Sequence, residues 1–249
     1  MKLSVIMPVY SETDSVRRII DDISVRIKEH LLEVILIVSP RSSEESLAVC
    51  RSVESGNRLV RMIIQSELPG FGQAYREAFP AARGDFVLML DADGEFDLDS
   101  VPLMIREVER GAEAVLASRW ISGGGVEGYG FVTYLANRSF QILLRTLFRT
   151  RLHDLTFGFK LLSAGAVRTI PWEGTMHELA METTIKTIRY GYRVTEVPAF
   201  WRKRREGQSK NKSLLWRARR YLPLMISVLR SAPPPGTPAY ARHILPPLR

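Results

Sequence analysis

The first 90 residues alternate between short apolar runs and amphipathic segments. The apolar runs are typical of buried strands, and the segments between them repeat apolar residues every three or four positions, as helices do. Strands and helices that alternate in this way form a parallel sheet with helices on both faces, so the predicted fold class is α/β. The predicted order is 3–7 (strand), 14–29 (helix), 33–38 (strand), 44–53 (helix), 59–64 (strand), 71–82 (helix) and 86–90 (strand).

The second half of the chain has a less regular pattern. The segment 122–130 contains five glycines, which predicts a mobile or tightly turning loop. The proline-rich tail, 231–249, is predicted to be disordered. Further helices are predicted at 100–110, 137–151, 178–190 and 214–230, and further strands at 112–118 and 193–200.

The strand predicted at 86–90 leads directly into two carboxylates, Asp91 and Asp93. Open α/β sheets bind ligands outside the carboxyl ends of their strands. Two hard oxygen ligands at that edge suit Mg²⁺ or Mn²⁺, and such metals usually hold substrate phosphates. A solvated acidic turn is the alternative that this segment alone leaves open.

Two further segments are candidates for ligand contact. Pro8, Tyr10 and Glu12 follow the first strand, where an aromatic ring can stack on a base and a carboxylate can accept ribose hydroxyls. The run from Gly70 to Gln73 lacks the third glycine of a dinucleotide fingerprint, which argues against a dehydrogenase. Its glycines still permit close approach of a ligand at the start of a helix.

Bulk composition narrows the class of protein. The 249 residues are 45% hydrophobic and 25% charged, as in ordinary soluble globular proteins. Cys50 is the single cysteine, which excludes an intramolecular disulfide and fits a reducing compartment. No apolar run reaches the roughly 18 residues of a membrane span and no signal peptide precedes the first strand. We therefore expect a cytoplasmic protein, with peripheral attachment to the cytoplasmic face of a membrane left open.

Positive charge is concentrated at the C-terminal end. The net charge is +8, and the residues from 201 onward contain 12 Lys and Arg but a single Glu. This distribution predicts an anionic partner: lipid headgroups, phosphates or nucleic acid. The helix 214–230 is both basic and amphipathic, which is typical of a membrane-surface anchor or of a helix docked on its own domain or on a second subunit.

Taken together, the motifs resemble family 2 glycosyltransferases of the GT-A fold, most closely the dolichyl-phosphate mannosyltransferase (polyprenyl-phosphate glycosyltransferase) group. The resemblance extends from residue 3 to about 210. The matching blocks are MPVYSE, GFGQAYREAF, ARGDFVLMLDADGE, ASRW followed by GGGVEGY, DLTFGFKL, EVPAFW and RREGQSK. It implies a catalytic domain at 1–212, a basic amphipathic helix at 213–230 and a tail at 231–249.

The resemblance also implies an activity. It predicts a metal-dependent inverting hexosyltransferase that moves a sugar from a GDP- or UDP-linked donor to a polyprenyl phosphate, with Mg²⁺ or Mn²⁺ as cofactor. The implied partners are the nucleoside diphosphate sugar, the lipid phosphate and a membrane surface; nucleic acid is not expected, and a homo-oligomer is left open.

Site residues carried over from the family fall into four groups. The implied catalytic residues are Asp93, Arg119, Asp154 and Glu182. The implied nucleotide-binding residues are Pro8, Val9, Tyr10, Glu12, Val38, Asp91 and Ala92. The implied acceptor- and diphosphate-binding residues are Arg119, Arg204, Ser209 and Lys210. The implied metal ligands are Asp91, Asp93 and Glu95.

The sequence departs from the family pattern at two places. The second strand is followed by Ser39, Pro40 and Arg41, where the family carries an acid that contacts the base. Thr133 occupies the position of a basic residue in the phosphate-binding group, and Arg138 is the nearest substitute. These departures put the donor base and the acceptor in question.

Three other functions stay open at this stage. A family 2 transferase acting on a soluble or carbohydrate hydroxyl would need a general base, for which Asp154 and Glu182 are the candidates. A non-catalytic nucleotide or RNA binder fits the basic tail but leaves Asp91 and Asp93 unexplained. A nucleotidyltransferase would normally carry an N-terminal glycine-rich phosphate loop with a basic residue, and MPVYSETDS has neither.

Overall fold

The computed structural model describes residues 1–66, 70–203 and 214–230, with side chains left undescribed at 214–218. Its centre is a seven-stranded sheet in the order β3-β2-β1-β4-β7-β5-β8. All neighbouring strands pair in parallel except β7, which runs antiparallel to both β4 and β5. The strands of the large sheet are β1 (Leu3–Val9), β2 (Leu31–Val38), β3 (Val60–Ile64), β4 (Phe86–Met89), β5 (Ala114–Ser118), β7 (Lys160–Ser163) and β8 (Val194–Pro198).

Helices cover both faces of this sheet, which confirms the predicted α/β class. One face packs on α1 (Asp14–Arg26), α2 (Glu44–Gly56) and α4 (Ser100–Glu109). The other packs on α3 (Phe71–Ala78), α6 (Ala164–Thr169) and α7 (Glu178–Arg189). A strand buried on both faces is apolar throughout, which is why the sequence of β2 after its first residues reads VILIV.

A third layer lies beyond α7. Helices α5 (Phe131–Phe148) and α8 (Leu214–Arg230) share a smaller apolar cluster with α7, in which Leu144, Leu224 and Val228 are buried. Tyr221 of α8 donates its hydroxyl to the carbonyl of His177, so α8 is docked on the body of the protein. A second sheet has two strands, β6 (Gly125–Glu127) and β9 (Phe200–Arg202). These strands follow β5 and β8, so the second sheet lies near the carboxyl edge of the large sheet.

The predicted elements differ from the structure in identifiable ways. The helix predicted at 137–151 begins earlier, at Phe131, because the apolar residues before Asn137 continue the helix. The loop predicted at 122–130 contains β6, and the strand predicted at 193–200 divides into β8 and β9. The helix predicted at 71–82 ends in a short 3-10 turn at Phe79–Ala81. The sequence analysis missed β7 and α6 altogether.

No helix within the described ranges combines the length and the apolar character needed to cross a bilayer.

Candidate active site

The carboxyl ends of β1, β2 and β4 bring the predicted nucleotide-binding residues to one edge of the sheet. Strands β2 and β3 are added on one side of β1, and β4 is added on its other side. The order in which strands are added therefore reverses between β1 and β4. Such a switch point leaves a crevice at the strand ends, which is where open α/β sheets bind ligands. The predicted residues at this edge are Pro8, Val9, Tyr10, Glu12, Val38, Asp91 and Ala92.

Pro8 marks the side of β1 on which the crevice opens. The Ile6 carbonyl accepts from the amide of Leu90 on the β4 side, whereas the Val9 carbonyl accepts from Ser39 on the β2 side. Because neighbouring residues of a strand alternate sides, Pro8 faces the β4 side, beyond the last pairing of β1 with β4. A proline has no N–H to donate, so pairing on this side stops there.

Glu12 shapes the loop after β1. Its carboxylate accepts from the backbone amides of Tyr10 (2.7 Å) and Ser11 (2.9 Å). These bonds hold the Tyr10 ring at the rim, where 38% of the residue is exposed. The loop therefore presents an accessible aromatic side chain at the same edge of the sheet as the two aspartates.

Asp91 and Asp93 follow β4 in a turn that passes through Gly94, whose φ is +74°. Asp93 accepts from the amide of Glu95 at 3.0 Å, which fixes the turn. Tyr75, fully buried on α3, lies close to both aspartates: burial, and then the charges of Asp91 and Asp93, raise its pKa well above the ordinary value. The two carboxylates therefore share one small region of negative potential.

This donor set fits a hard divalent cation shared with a ligand. Among the described residues no group of three or more His, Cys, Asp and Glu side chains has the geometry of a metal cage. Mg²⁺ is commonly held by one or two carboxylates together with substrate phosphates, which matches a pair of aspartates at an open edge. Glu95, predicted as a third ligand, accepts from the indole of Trp201 at 2.9 Å, so one of its oxygens is already used.

Arg119 and Asp154 form a buried ion pair next to this edge. Arg119 follows β5 and is 7% exposed, and Asp154 precedes β7 and is fully buried. The contact is bidentate, with Nε to Oδ2 at 2.7 Å and Nη2 to Oδ1 at 2.9 Å. Burial alone would lower the pKa of Arg119, but the Asp154 carboxylate outweighs burial and raises it, so the guanidinium keeps its charge.

A chain of aromatic contacts links this ion pair to Glu95. Arg119 donates to the Tyr129 hydroxyl at 3.0 Å, and the Tyr129 ring lies 4.6 Å from that of Trp201, the partner of Glu95. Burial raises the pKa of Tyr129, since the opposing effect of Arg119 is the smaller one. The Arg119 guanidinium also lies over the Phe157 ring, 4.5 Å from its centre.

The Asp154 segment is anchored by side chains that the sequence analysis did not single out. Glu196, on β8, accepts from the amides of His153 (2.7 Å) and Asp154 (2.8 Å). Gln141 of α5 accepts from the Leu155 amide at 2.9 Å and donates to Thr156 at 2.6 Å. A polar residue in the middle of an apolar helix, as Gln141 is, was the available signal.

Glu182, the other predicted catalytic carboxylate, lies in the interior between α7 and the loop before it. Its two oxygens accept from the amides of Glu173 and Gly174, each at 2.8 Å, and it pairs with Lys186 at 2.5 Å. Its observed contacts hold this loop against α7.

Lys160 is a second buried amine that the sequence analysis missed. It is fully buried on β7 and donates to the carbonyl of Ala180 and the hydroxyls of Thr183 (2.9 Å) and Thr184 (2.6 Å). Burial lowers its pKa to about 7, and the nearby Asp154 only partly opposes this. A lysine within the apolar run FGFKLL was the sequence signal.

The remaining predicted residues divide between described and undescribed parts of the chain. Arg204, Ser209 and Lys210 lie outside the described residues. Arg138, the nearest substitute for the basic residue absent at Thr133, lies 5.4 Å from the centre of the Trp120 ring. Arg119 lies 5.7 Å from the same ring, so the two guanidinium groups share one aromatic neighbour.

Comparisons with known proteins agree with this architecture. The model of glycosyl transferase family 2 matches residues 4–170. Dolichol-phosphate mannosyltransferase from Pyrococcus furiosus is 26% identical over 85% of this chain, but the match covers only 60% of that relative's length. Undecaprenyl-phosphate mannosyltransferase from Micrococcus luteus is 26% identical, over 84% of this chain and 87% of the relative. Polyprenol monophosphomannose synthase from Mycolicibacterium smegmatis is 25% identical, over 83% and 79%.

Solved structures match the fold. Glucosyl-3-phosphoglycerate synthase from Mycobacterium tuberculosis, solved with Mn²⁺, UDP and glucosyl-3-phosphoglycerate, gives a TM-score of 0.70 at 21% identity, covering 94% of this chain and 82% of that one. The same protein with Mg²⁺ and UDP gives 0.70 at 21% identity, covering 94% and 81%. The GT-A fold predicted from the sequence is thereby confirmed.

Proposed function

Because the chain belongs to glycosyl transferase family 2 and is a glycosyltransferase, we propose that it transfers a sugar, with inversion, from a nucleoside diphosphate sugar to a polyprenyl phosphate. The observation that carries this proposal is the pair Asp91 and Asp93 at the switch point of the sheet, an edge that also exposes the aromatic residue Tyr10. The names of three relatives, all polyprenyl- or dolichol-phosphate mannosyltransferases, support the acceptor class.

Asp91 and Asp93 are the residues that would hold a divalent metal. When bound, Mg²⁺ or Mn²⁺ neutralises charge that accumulates on the diphosphate leaving group. Tyr75 is fully buried, which raises its pKa, and it is close enough to both aspartates for their charges to raise that pKa further. The Tyr10 ring is accessible for stacking on the nucleobase, and GDP- and UDP-linked donors both fit this description.

Arg119 is the proposed cation for the acceptor phosphate. Asp154 occupies Nε and Nη2, which orients the guanidinium plane, while Nη1 reaches Tyr129. Arg138 shares the Trp120 ring with Arg119 and supplies a second positive charge close by. Such an arrangement orients an anionic acceptor for attack, and orientation is a large part of the catalytic effect. Arg204, Ser209 and Lys210 remain proposed ligands of the diphosphate.

The hydrogen bonds and burial of the two candidate bases, Asp154 and Glu182, favour a phosphate acceptor. A lipid monophosphate is ionised near neutral pH and needs no base, whereas a hydroxyl acceptor needs one within hydrogen-bond reach. Asp154 is bound on both oxygens by Arg119, and Glu182 is bound on both oxygens by amides and paired with Lys186. Neither carboxylate has the exposure that a general base requires.

A hydroxyl acceptor is the second candidate. It is favoured by Thr133, which stands where the resemblance places a basic residue of the phosphate-binding group.

The test is a transfer assay with full-length protein, Mn²⁺ and labelled GDP-mannose or UDP-glucose. The acceptors are a polyprenyl phosphate and the matching polyprenol, which differ only in the phosphate. We expect product with the phosphate alone; transfer to the polyprenol or to a soluble sugar would favour the second candidate. Absence of transfer to every acceptor would contradict both.

Asp93→Asn tests the site itself. We expect the transfer rate to fall by about 100-fold or more, as it does when a group that stabilises developing charge is removed. Asp85→Asn is the matched control, because Asp85 lies at the opposite end of the same strand and contacts the amide of Lys2. Equal activity of both variants would contradict the assignment of the active site to this edge of the sheet.

A further inference from the structure

Helix α5 is apolar on two opposite sides. One side packs into the protein through Gln141, Leu144 and Phe148, which are buried. The opposite side leaves a set of large apolar residues in solvent, which we name the α5 stripe. Its members are Phe131 (79% exposed), Val132 (78%), Leu135 (53%), Ile142 (54%) and Leu143 (55%).

Helical geometry places these five side chains together. At 3.6 residues per turn, positions 131, 135 and 142 align along the helix, and 132 and 143 lie next to them. A globular helix normally presents polar residues to solvent, so an apolar stripe opposite the buried side requires a partner. Contiguous exposed apolar patches on soluble proteins mark interaction surfaces.

The residues around the stripe are positively charged, which indicates an anionic partner. Residues 128–153 contain no Asp or Glu, and the arginines of this region are Arg138, Arg145, Arg149 and Arg151. At helical spacing Arg138 and Arg145 fall along one border of the stripe, and Arg149 directly follows the last residue of the helix. Helix α8, which contacts α5 through the rings of Phe140 and Tyr221 at 5.4 Å, also lacks acidic residues and exposes Leu222 (58%).

An anionic bilayer surface fits this combination better than a second copy of the chain. A two-fold contact through the stripe would bring the same arginines against each other. A membrane interface accepts apolar side chains at the level of the acyl chains and arginines at the level of the headgroups. Each basic residue near an anionic leaflet adds to the attraction.

We propose that the α5 stripe docks the protein on the surface of an anionic membrane, with α5 lying in the plane of the interface. The proposal rests on the proposed function and deepens it, because Gln141 ties α5 directly to the segment that carries Asp154. Docking through α5 therefore brings the Arg119–Asp154 pair close to the membrane surface, where a lipid phosphate is found.

The experiment measures cosedimentation of full-length protein with vesicles of phosphatidylcholine alone or with 30% phosphatidylglycerol. The variant is Val132→Asp, and the matched control is Val25→Asp, since Val25 is 79% exposed on α1, a helix of the opposite sheet face. We expect binding to the anionic vesicles, a loss of at least fivefold in Val132→Asp, a larger loss in Val132→Asp/Leu135→Asp, and no change in Val25→Asp.

Three outcomes would overturn docking: wild-type protein that does not bind anionic vesicles, equal losses in both valine variants, or a dimer in light scattering that dissociates in Val132→Asp. Vesicle binding requires no substrate, so its result is independent of the transfer assay. Transfer to a short, water-soluble prenyl phosphate should be unchanged in Val132→Asp. Circular dichroism and thermal unfolding establish that both variants are folded.

Discussion

A guanidinium that is only 7% exposed, as in Arg119, is tolerated inside a protein when a carboxylate compensates its charge. Asp154 supplies that carboxylate and fixes the plane of the guanidinium at the same time. Under the proposed function, stability and acceptor binding both depend on this pair, and experiment can separate the two.

Removal of one partner leaves an uncompensated buried charge. We expect Asp154→Ala to lower the free energy of unfolding by about 3–5 kcal/mol, measured by urea denaturation. Arg119→Met/Asp154→Met should recover most of this loss but none of the transfer activity. Glu127→Ala, which breaks the exposed pair with Arg202, is the control and should cost about 1 kcal/mol or less. A double variant with normal activity would exclude a role of Arg119 in transfer.

Lys160 gives the folded protein a distinctive dependence on pH. Its pKa is about 7 in the folded state, below its ordinary value, so from pH 7 upward the unfolded state binds more protons than the folded state. Stability should therefore rise by about 1.4 kcal/mol per pH unit from this group, with the cost of the buried charge fully present below pH 7. Lys160→Met should abolish this slope between pH 7 and 8.5 in urea denaturation. Lys28→Met, at an exposed position, should retain it.

At the scale of elements, the start of α3 illustrates how closely the backbone packs near the site. A Cβ on Gly72 would lie 2.6 Å from the Gly174 carbonyl oxygen and 2.7 Å from that of Met176. The helix that carries Tyr75 can approach the loop before α7 only without this atom.

Two glycine substitutions test this packing. Gly72→Ala should lower the free energy of unfolding by about 1–3 kcal/mol, as overpacking does. Gly56→Ala should raise it by about 0.4–1 kcal/mol, since nothing lies within 4 Å of the added Cβ at the end of α2. Thermal unfolding of both variants measures the difference. If Gly72→Ala left the free energy of unfolding unchanged, the loop before α7 would have to shift at little cost to admit the added Cβ.

The elements that the sequence predicted well are those whose pattern is local. Strand β4 and the aspartates after it follow from an apolar run bounded by glycines. Strand β7 has four residues, and its place between β4 and β5 depends on pairing with partners distant in sequence, which no local pattern encodes. The pairing of Arg119 with Asp154 depends on that same placement, so the sequence named both residues only through the family resemblance. The predicted domain limits at 212 and 230 stay predictions.

At the scale of the whole molecule, the sheet has a polar cluster at each edge. Opposite the site, Glu33 is 1% exposed and accepts from Ser4, from Arg61 and from the Arg83 amide. Burial opposes ionisation, but these hydrogen bonds outweigh it and lower the pKa of Glu33. The carboxylate thereby ties β1, β2 and β3 to the turn before β4.

Glu33 should contribute to resistance to acid. Because its pKa is lowered by folding, its stabilising contribution is present above the ordinary carboxyl pKa and is lost as the pH falls through the lower, folded value. Glu33→Gln should therefore unfold at a lower urea concentration than wild type at pH 7, and the difference should narrow below about pH 4.5. Glu29→Gln, at an exposed position, should leave the midpoint unchanged. A constant difference across this range would contradict the assignment.

The reversed direction of β7 has one more consequence. Strands β5 and β7 are antiparallel neighbours, so the excursion 120–153, which contains β6 and α5, leaves and rejoins the sheet at the same edge. The ion pair of Arg119 and Asp154 joins the two ends of this excursion. Asp91 and Asp93 lie outside this excursion, whose contacts with the donor edge run through the pairing of β6 with β9 and through Tyr129 and Trp201 to Glu95. Under the proposed function, exchange of residues 120–153 between relatives should therefore change the acceptor preference, which the transfer assay with polyprenyl phosphate and polyprenol measures.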